Sequence, residues 1–286
     1  MKKLITINSL SGGKTSSYLA VNHPASVEMF AIVCIEDHNA AGWLKKDKKA
    51  LQYANDKLEK YIPIYGEFRA TAEDPYIIYT MMQLEQKIGR EIVWVRGKSF
   101  EDVIKQHKAL PNQVWRFCTT DLKLIPIFEY TYMNYGEDVL MRLGIRYDEK
   151  ERAETISNEF KFPFSCNNYG KKKQNWKTVE WRNVEYPMIE NEDTHYRVTQ
   201  FWNNNTDVRF SEDSNCQMCF WKHIQQLRKN FESNPPIMYW AGIQELVKGN
   251  TFKKEISLLE TKEIGIQQDF NFGGGAENCK SGWCRG

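Results

Sequence analysis

The chain has 286 residues, with 39 Lys+Arg against 37 Asp+Glu and a formal net charge of +2. Apolar types make up 41% and charged types 27%, ordinary globular usage, which excludes a disordered tail, a collagen-like fibre and attachment to nucleic acid by bulk charge alone. No run approaches the roughly twenty apolar residues of a membrane helix, so no membrane partner is expected. Met1-Lys2-Lys3 before Leu4–Ile7 resembles the start of a signal peptide, but Asn8, Ser9, Ser11 and a glycine pair break the stretch, and a cytoplasmic location is expected.

Taken in chain order, Leu4–Asn8 reads as a strand and Lys14–Asn22 as a helix. Met29–Ile35, rich in β-branched residues and apolar on both faces, reads as a second strand. Ala41–Tyr61 reads as a charged helix stopped before Pro63, and Ile62–Tyr65 as a short strand. Pro75–Ile88 and Phe100–His107 read as helices on either side of a strand at Glu91–Arg96. Leu122–Tyr132 is a further helix and Val139–Leu143 a further strand. Strands alternating with helices predict an α/β fold: a Rossmann-like parallel sheet with helices on both faces, whose ligands bind at the carboxyl ends of the strands. Ser157–Arg182, with Lys171, Lys172, Lys173 and Lys177 among Asn and Gly, reads as a loop-rich insert. Phe220–Phe231 carries an apolar stripe at helical spacing, and Gly273–Gly286 is a glycine-rich tail with two cysteines. Residues 1–210 are expected to form a nucleotide-binding α/β domain, and 211–286 a helical, Cys-rich extension packed on it.

Ser9-Leu10-Ser11-Gly12-Gly13-Lys14-Thr15-Ser16-Ser17 follows the first strand and opens a helix. Two glycines let the backbone turn tightly and approach a ligand, and the free amides opening the helix face an anion. Ser11, Thr15 and Ser16 add hydroxyls and Lys14 a charge. A Walker A loop would need glycine where Asn8 stands, and the likeness of Leu10–Lys14 to the signature motif of transport ATPases lacks the accompanying Walker A. The remaining readings are a PP-loop, Ser-Gly-Gly-x-x-Ser, and an ordinary glycine turn.

Two basic clusters follow at expected strand or helix ends. Arg116 and Lys123 flank Phe117-Cys118-Thr119-Thr120-Asp121-Leu122, and Arg146 and Arg152 bracket Asp148 and Glu149 after Gly144-Ile145. Each alone reads sooner as a surface salt-bridge cluster; with the loop, they point to a site for a polyanion.

Together these motifs resemble the phosphoadenosine phosphosulfate (PAPS) reductase-like family of the adenine nucleotide α-hydrolase, or PP-loop, superfamily. The resemblance covers about residues 1–260 and is greatest to phage-type members and to the sulfur-transfer component of bacterial DNA phosphorothioation systems. Ser11, Gly12, Gly13 and Ser16 match the nucleotide loop. Arg116, Cys118, Thr119, Leu122 and Lys123 match the middle motif. Gly144, Arg146 and Glu149 match the third, and Tyr186-Pro187-Met188-Ile189 is similar to the downstream Pro-Leu-Ile. The third motif departs at Lys150, where relatives often have Ser. The chain also lacks the Glu-Cys-Gly-Leu-His motif of true PAPS reductases and the paired cysteines of adenylylsulfate reductases, Phe117 preceding Cys118.

The resemblance implies that ATP or PAPS, with Mg2+, binds at Ser9, Ser11, Gly12, Gly13, Lys14, Thr15, Ser16, Ser17, Glu36, Arg116, Lys123, Gly144, Arg146 and Glu149. Lys14, Arg116, Lys123 and Arg146 would neutralise charge, with Cys118 either a nucleophile or without a chemical role. Glu36-Asp37 after the second strand reads as a ribose or magnesium contact, or as a helix cap.

Seven cysteines in a chain of this kind read as thiols or metal ligands rather than a disulfide framework. Cys216-Gln217-Met218-Cys219, expected to start a helix whose positive end lowers the thiol pKa values, and Cys279 with Cys284 form two pairs able to give one ion four thiolates; a redox dithiol plus a loose tail is the alternative. In relatives such a set holds a [4Fe-4S] cluster, or zinc in some. Cys34 reads as a core residue. Tyr169–Lys177, mixing bases and aromatics, suits nucleic acid or is a solvated loop. Expected partners are therefore the adenine nucleotide and either nucleic acid or a sulfur-donor protein; a homo-oligomer stays open. The leading function is cleavage at the α-phosphate to adenylate an acceptor. Its rivals are a reductase making sulfite and a non-catalytic binding protein with a vestigial loop.

Overall fold

The computed structural model describes residues 4–136, 139–166, 174–212 and 216–265, with the backbone alone for 162–166 and 174. Its strands are β1 (Ile5–Leu10), β2 (Val27–Ala31), β3 (Cys34–Ile35), β4 (Ala70–Thr71), β5 (Ile92–Val95), β6 (Val139–Leu143), β7 (Glu159–Cys166), β8 (Gln174–Glu180) and β9 (Asn183–Glu185). Five of them form one sheet in the order β5-β2-β1-β6-β9, every pairing parallel. The chain order reverses on either side of β1, so a crevice opens at its carboxyl end, where β2 and β6 depart in opposite directions. The expected α/β fold with a parallel sheet is what forms.

The helices are α1 (Lys14–Asn22), α2 (Lys48–Leu58), α3 (Ile62–Tyr65), α4 (Ile77–Ile88), α5 (Phe100–His107), α6 (Phe117–Thr119), α7 (Ile125–Tyr135), α8 (Pro187–Glu190), α9 (His195–Asn204), α10 (Ile224–Ser233), α11 (Pro235–Lys248) and α12 (Leu258–Thr261). Side chains alternate across the pleat, and the core divides accordingly. Phe30 of β2 faces one layer with Leu19, Trp94, Ile78, Met81 and residues of α10 and α11. Met29 and Ala31 face the other, with Ile7, Met141, Phe128 of α7, Phe160, Val179 and Trp181. Met218, Phe220, Leu227 and Trp240 sit in the first layer, so the chain beyond residue 216 shares a core with the sheet.

Several elements depart from the sequence reading. Ser157–Arg182 is built around an antiparallel β7–β8 hairpin, because Phe160 and Val179 are buried against Phe128 and Trp181 of the second layer. Residues 167–173, with the three consecutive lysines, lie outside the described residues. Ile62–Tyr65 is helical, as Pro63 in a first turn favours. The apolar run Met29–Ile35 splits: the amide of Ile32 donates to the carbonyl of Val95, and Cys34 and Ile35 then pair antiparallel with β4. The long helix expected over Ala41–Tyr61 starts only at Lys48, where Asp47 caps it by accepting from the Ala50 amide at 3.0 Å; a kinked 3-10 segment, His38–Lys46, precedes it. The helix expected from Phe220 begins at Ile224, because Cys216–Lys222 is spent in two turns.

Candidate active site

The carboxyl edge of the sheet gathers the three motifs. Ser11–Gly13 link β1 directly to α1. Gly12 has φ +77°, a left-handed conformation that side chains resist, and a Cβ there would lie 2.3 Å from Ile77 Cδ1 of α4. The Ser11 amide donates to Ser16 Oγ at 3.1 Å, the two hydroxyls lie 3.1 Å apart, and Ser16 Oγ donates to the Gly13 carbonyl at 3.2 Å. The loop thus closes on its own helix start. Trp202 Nε1 of α9 donates to the Lys14 carbonyl at 2.8 Å and pins the first turn, while the Lys14 side chain is exposed. Ser17 is wholly buried and Ser9 lies within β1. No acidic residue occupies the first turn of α1, which leaves its positive end to an anion.

The third motif meets this loop directly. Gly144, one residue past β6, packs so closely that a Cβ would stand 3.1 Å from Ser16 Cα. Arg146 Nη1 donates to Thr15 Oγ1 at 3.1 Å, Nη2 to Glu149 at 2.7 Å and Nε to Asp148 at 3.2 Å. Arg152 holds the other oxygen of Glu149 at 2.8 Å. These bonds orient Arg146 beside the cradle.

The middle motif is a single helix with an irregular middle. Arg116 precedes α6, Thr120–Leu124 is a π-turn and α7 continues from Ile125. Such bulges rotate successive side chains away from α-helical spacing and recur at functional sites. Lys123, in the bulge, donates to Glu73 Oε1 at 2.7 Å, and the Arg116 guanidinium lies 5.7 Å from the Trp221 ring centroid. On the opposite side of the bulge His107 and Asp121 pair at 2.6 Å, the imidazole stacked on Phe117 with centroids 4.0 Å apart.

Glu36, past β3, binds Arg96 at 2.7 Å, and its amide is held by Glu101 at 3.1 Å. Asp37 caps the following turn, accepting from Asn39 at 2.8 Å.

Cys216 and Cys219 form a turn, the Cys219 amide donating to the Cys216 carbonyl at 3.0 Å, beside β4, where the Gln217 amide donates to the Ala72 carbonyl at 2.7 Å. No helix starts there, so the thiols gain nothing from a helix dipole. The Cys216 thiol is instead pushed well above its usual value, chiefly by burial; Lys123 opposes that rise, while Glu73, Cys219 and Cys118 add to it. Cys118 of the middle motif and Cys216 both pack against the first core layer. Among the described residues no group of three or more His, Cys, Asp or Glu side chains is arranged to hold a metal ion. Cys279 and Cys284 lie outside the described residues, so those described do not themselves form a metal cage. Cys34 is a core residue, 2% exposed, its thiol pushed up to about 12 by burial.

The sequence reading missed Glu73, Arg96 and Asp193. Arg96, at the end of β5, carried a signal, a cation at a strand end. Asp193 joins Tyr18 of α1 at 3.0 Å to Arg197 of α9 at 3.1 Å. Neither it nor Glu73 stands in any pattern, and only the fold brings them to their partners.

No family model matches the chain, and no solved structure matches it. A 71-residue stretch is 34% identical to a protein of Methanocaldococcus jannaschii described as uncharacterized; it spans 24% of this chain and 15% of the archaeal protein. Among the described residues no helix is long and apolar enough to cross a membrane.

Proposed function

We propose that the chain binds an adenine nucleotide, ATP or PAPS, at the carboxyl edge of the sheet and cleaves it at the α-phosphate to adenylate an acceptor. One observation carries this reading. The glycine loop sits at the point where strand order reverses, and Arg146, from the far side of that point, is bonded to Thr15 of the loop's own helix. A glycine turn that served only to connect β1 to α1 would need no such cation.

In this reading the amides and hydroxyls of Ser11–Ser16 receive the β- and γ-phosphates of ATP, and Arg146, Arg116 and Lys123 balance their charge. The acceptor nucleophile attacks the α-phosphorus. The bond from that phosphorus to the bridging oxygen breaks, pyrophosphate leaves with the electron pair, and the nucleophile's proton passes to solvent. Mg2+ enters as part of the nucleotide substrate and stabilises the leaving pyrophosphate. Cys216, Cys219, Cys279 and Cys284 would hold a [4Fe-4S] cluster or zinc, which would either receive sulfur or hold the fold.

The test is pyrophosphate release from ATP, in the presence of sulfide donors and of candidate acceptors, by the wild type and by Gly13→Asp. Release by the wild type that the variant abolishes supports adenylation. Partner binding that survives Gly13→Asp, with no turnover by the wild type, supports a binding protein with a vestigial loop instead. The Cys216–Cys219 turn, with Cys118 packed against the same core layer, favours a second reading, reductive cleavage of PAPS by a thiol donor; labelled sulfite from labelled PAPS distinguishes it.

A further inference from the structure

We infer that Glu73 is a positioning residue: its buried carboxylate fixes the Lys123 ammonium beside the segment that carries the Cys216–Cys219 turn, so that Lys123 meets the oxyanion of a substrate bound at the carboxyl edge of the sheet in one geometry. The inference rests on the proposed nucleotide site. Glu73 is 0% exposed, yet it stands at no helix end and in no surface network. Burying a carboxylate is costly unless it is paired, and an apolar replacement of the same volume is often no less stable. Here one oxygen accepts from Lys123 at 2.7 Å, while Oε2 has no hydrogen-bond partner. Packing alone does not account for a wholly buried charge that leaves one oxygen unsatisfied.

The backbone around Glu73 is held from three sides. Its amide donates to Thr71 Oγ1 at 3.2 Å, the Ala72 amide donates to the Val33 carbonyl at 2.9 Å, and the Ala72 carbonyl accepts from Gln217 at 2.7 Å. The carboxylate therefore sits on a rigid mount between the central sheet and the cysteine turn. Lys123 needs such a mount, because an ammonium on a four-carbon stem is a mobile point charge with none of the planar fork that orients arginine. It also sits in the π-turn five residues after Cys118, which lies in the preceding turn of the same helix.

The test is equilibrium binding of ATP and of PAPS to the wild type, Glu73→Gln, Glu73→Asp, Lys123→Met and the double variant Lys123→Met/Glu73→Gln, with urea unfolding of each. Glu73→Gln is expected to weaken nucleotide binding about tenfold, and Glu73→Asp, which keeps the charge on a shorter stem, by less. The double variant is expected to bind no more weakly than Lys123→Met, because Glu73 acts through Lys123, and to be more stable than it, because no buried carboxylate is left unpaired. Wild-type affinity in Glu73→Gln, or losses that multiply in the double variant, would overturn the inference while leaving the nucleotide site standing. A wild type that binds neither nucleotide overturns both. Should Glu73→Gln fail to fold, Glu73→Asp decides: affinity equal to the wild type removes the positioning role.

Discussion

Arg146 and Thr15, 131 residues apart in the chain, meet at 3.1 Å across the crevice between β1 and β6. The guanidinium is shared between the loop's helix and the carboxylates of Asp148 and Glu149, which hold it in place. Lysine cannot reproduce three bonds in a fixed fork. Arg146→Lys and Arg146→Ala are therefore both expected to lower nucleotide affinity by about tenfold or more, as the loss of a charge-assisted bond to phosphate does. Isothermal titration with ATP and with PAPS checks this, and a lysine variant that binds like the wild type would remove Arg146 from the site.

Glycine is required at two points of the cradle for different reasons. Gly12→Ala meets both a left-handed φ and the side chain of Ile77, and should cost about 2 kcal/mol or more of stability. Ile77→Val removes the Cδ1 atom nearest the new methyl group, so the double variant should recover part of that loss. Gly144→Ala presses on the backbone at Ser16, which cannot step aside, and no Ile77 substitution should relieve it. Urea unfolding of the wild type, the three single variants and the two double variants separates the cases; rescue of Gly144→Ala by Ile77→Val would contradict this geometry.

The parts of this site that were legible in the sequence are the local ones. The loop from Ser11 to Ser16 announces itself because glycines, hydroxyls and a helix start are contiguous, and Lys14–Asn22, Phe100–His107 and Val139–Leu143 form over the expected residues. What the sequence hid depends on contacts between distant segments. The β7–β8 hairpin packs on Trp181 and Phe128 on the far face of the sheet; Phe160, Phe162 and Phe164 alternate with polar residues or proline along β7, a strand signal that the lysines and asparagines after it obscured. Glu73 reads as one acidic residue in a turn until Lys123 and Gln217 arrive beside it. The helix expected at Cys219 failed for a local reason: helical spacing of Phe220, Ile224, Leu227 and Phe231 does not reveal that the first of these is buried from a turn.

Metal content tests the cysteine assignment. Purified without oxygen, the chain is expected to carry iron and acid-labile sulfide, with a brown charge-transfer absorption, and Cys216→Ser and Cys219→Ser are expected to lose both. Zinc, or no metal in any preparation, would make the thiols structural and withdraw the main support for sulfur chemistry.

Glu101 links the site to the pH dependence of folding. Its carboxylate accepts the amides of Glu36 and Asp37 at 3.1 Å, yet burial outweighs those bonds and raises its pKa above the ordinary glutamate value. The folded chain thus holds this proton more tightly than the unfolded chain. The contribution to stability is fully present below the unfolded value, about pH 4.3, and is lost as the pH rises through the higher folded value. Glu101→Gln has no proton to lose. Its stability relative to the wild type is expected to climb from about pH 4 upward and then level off, whatever the offset from the altered hydrogen bonds. Urea unfolding of the pair across that range reads the slope directly. A falling difference would mean that the backbone amides, not burial, govern this carboxylate.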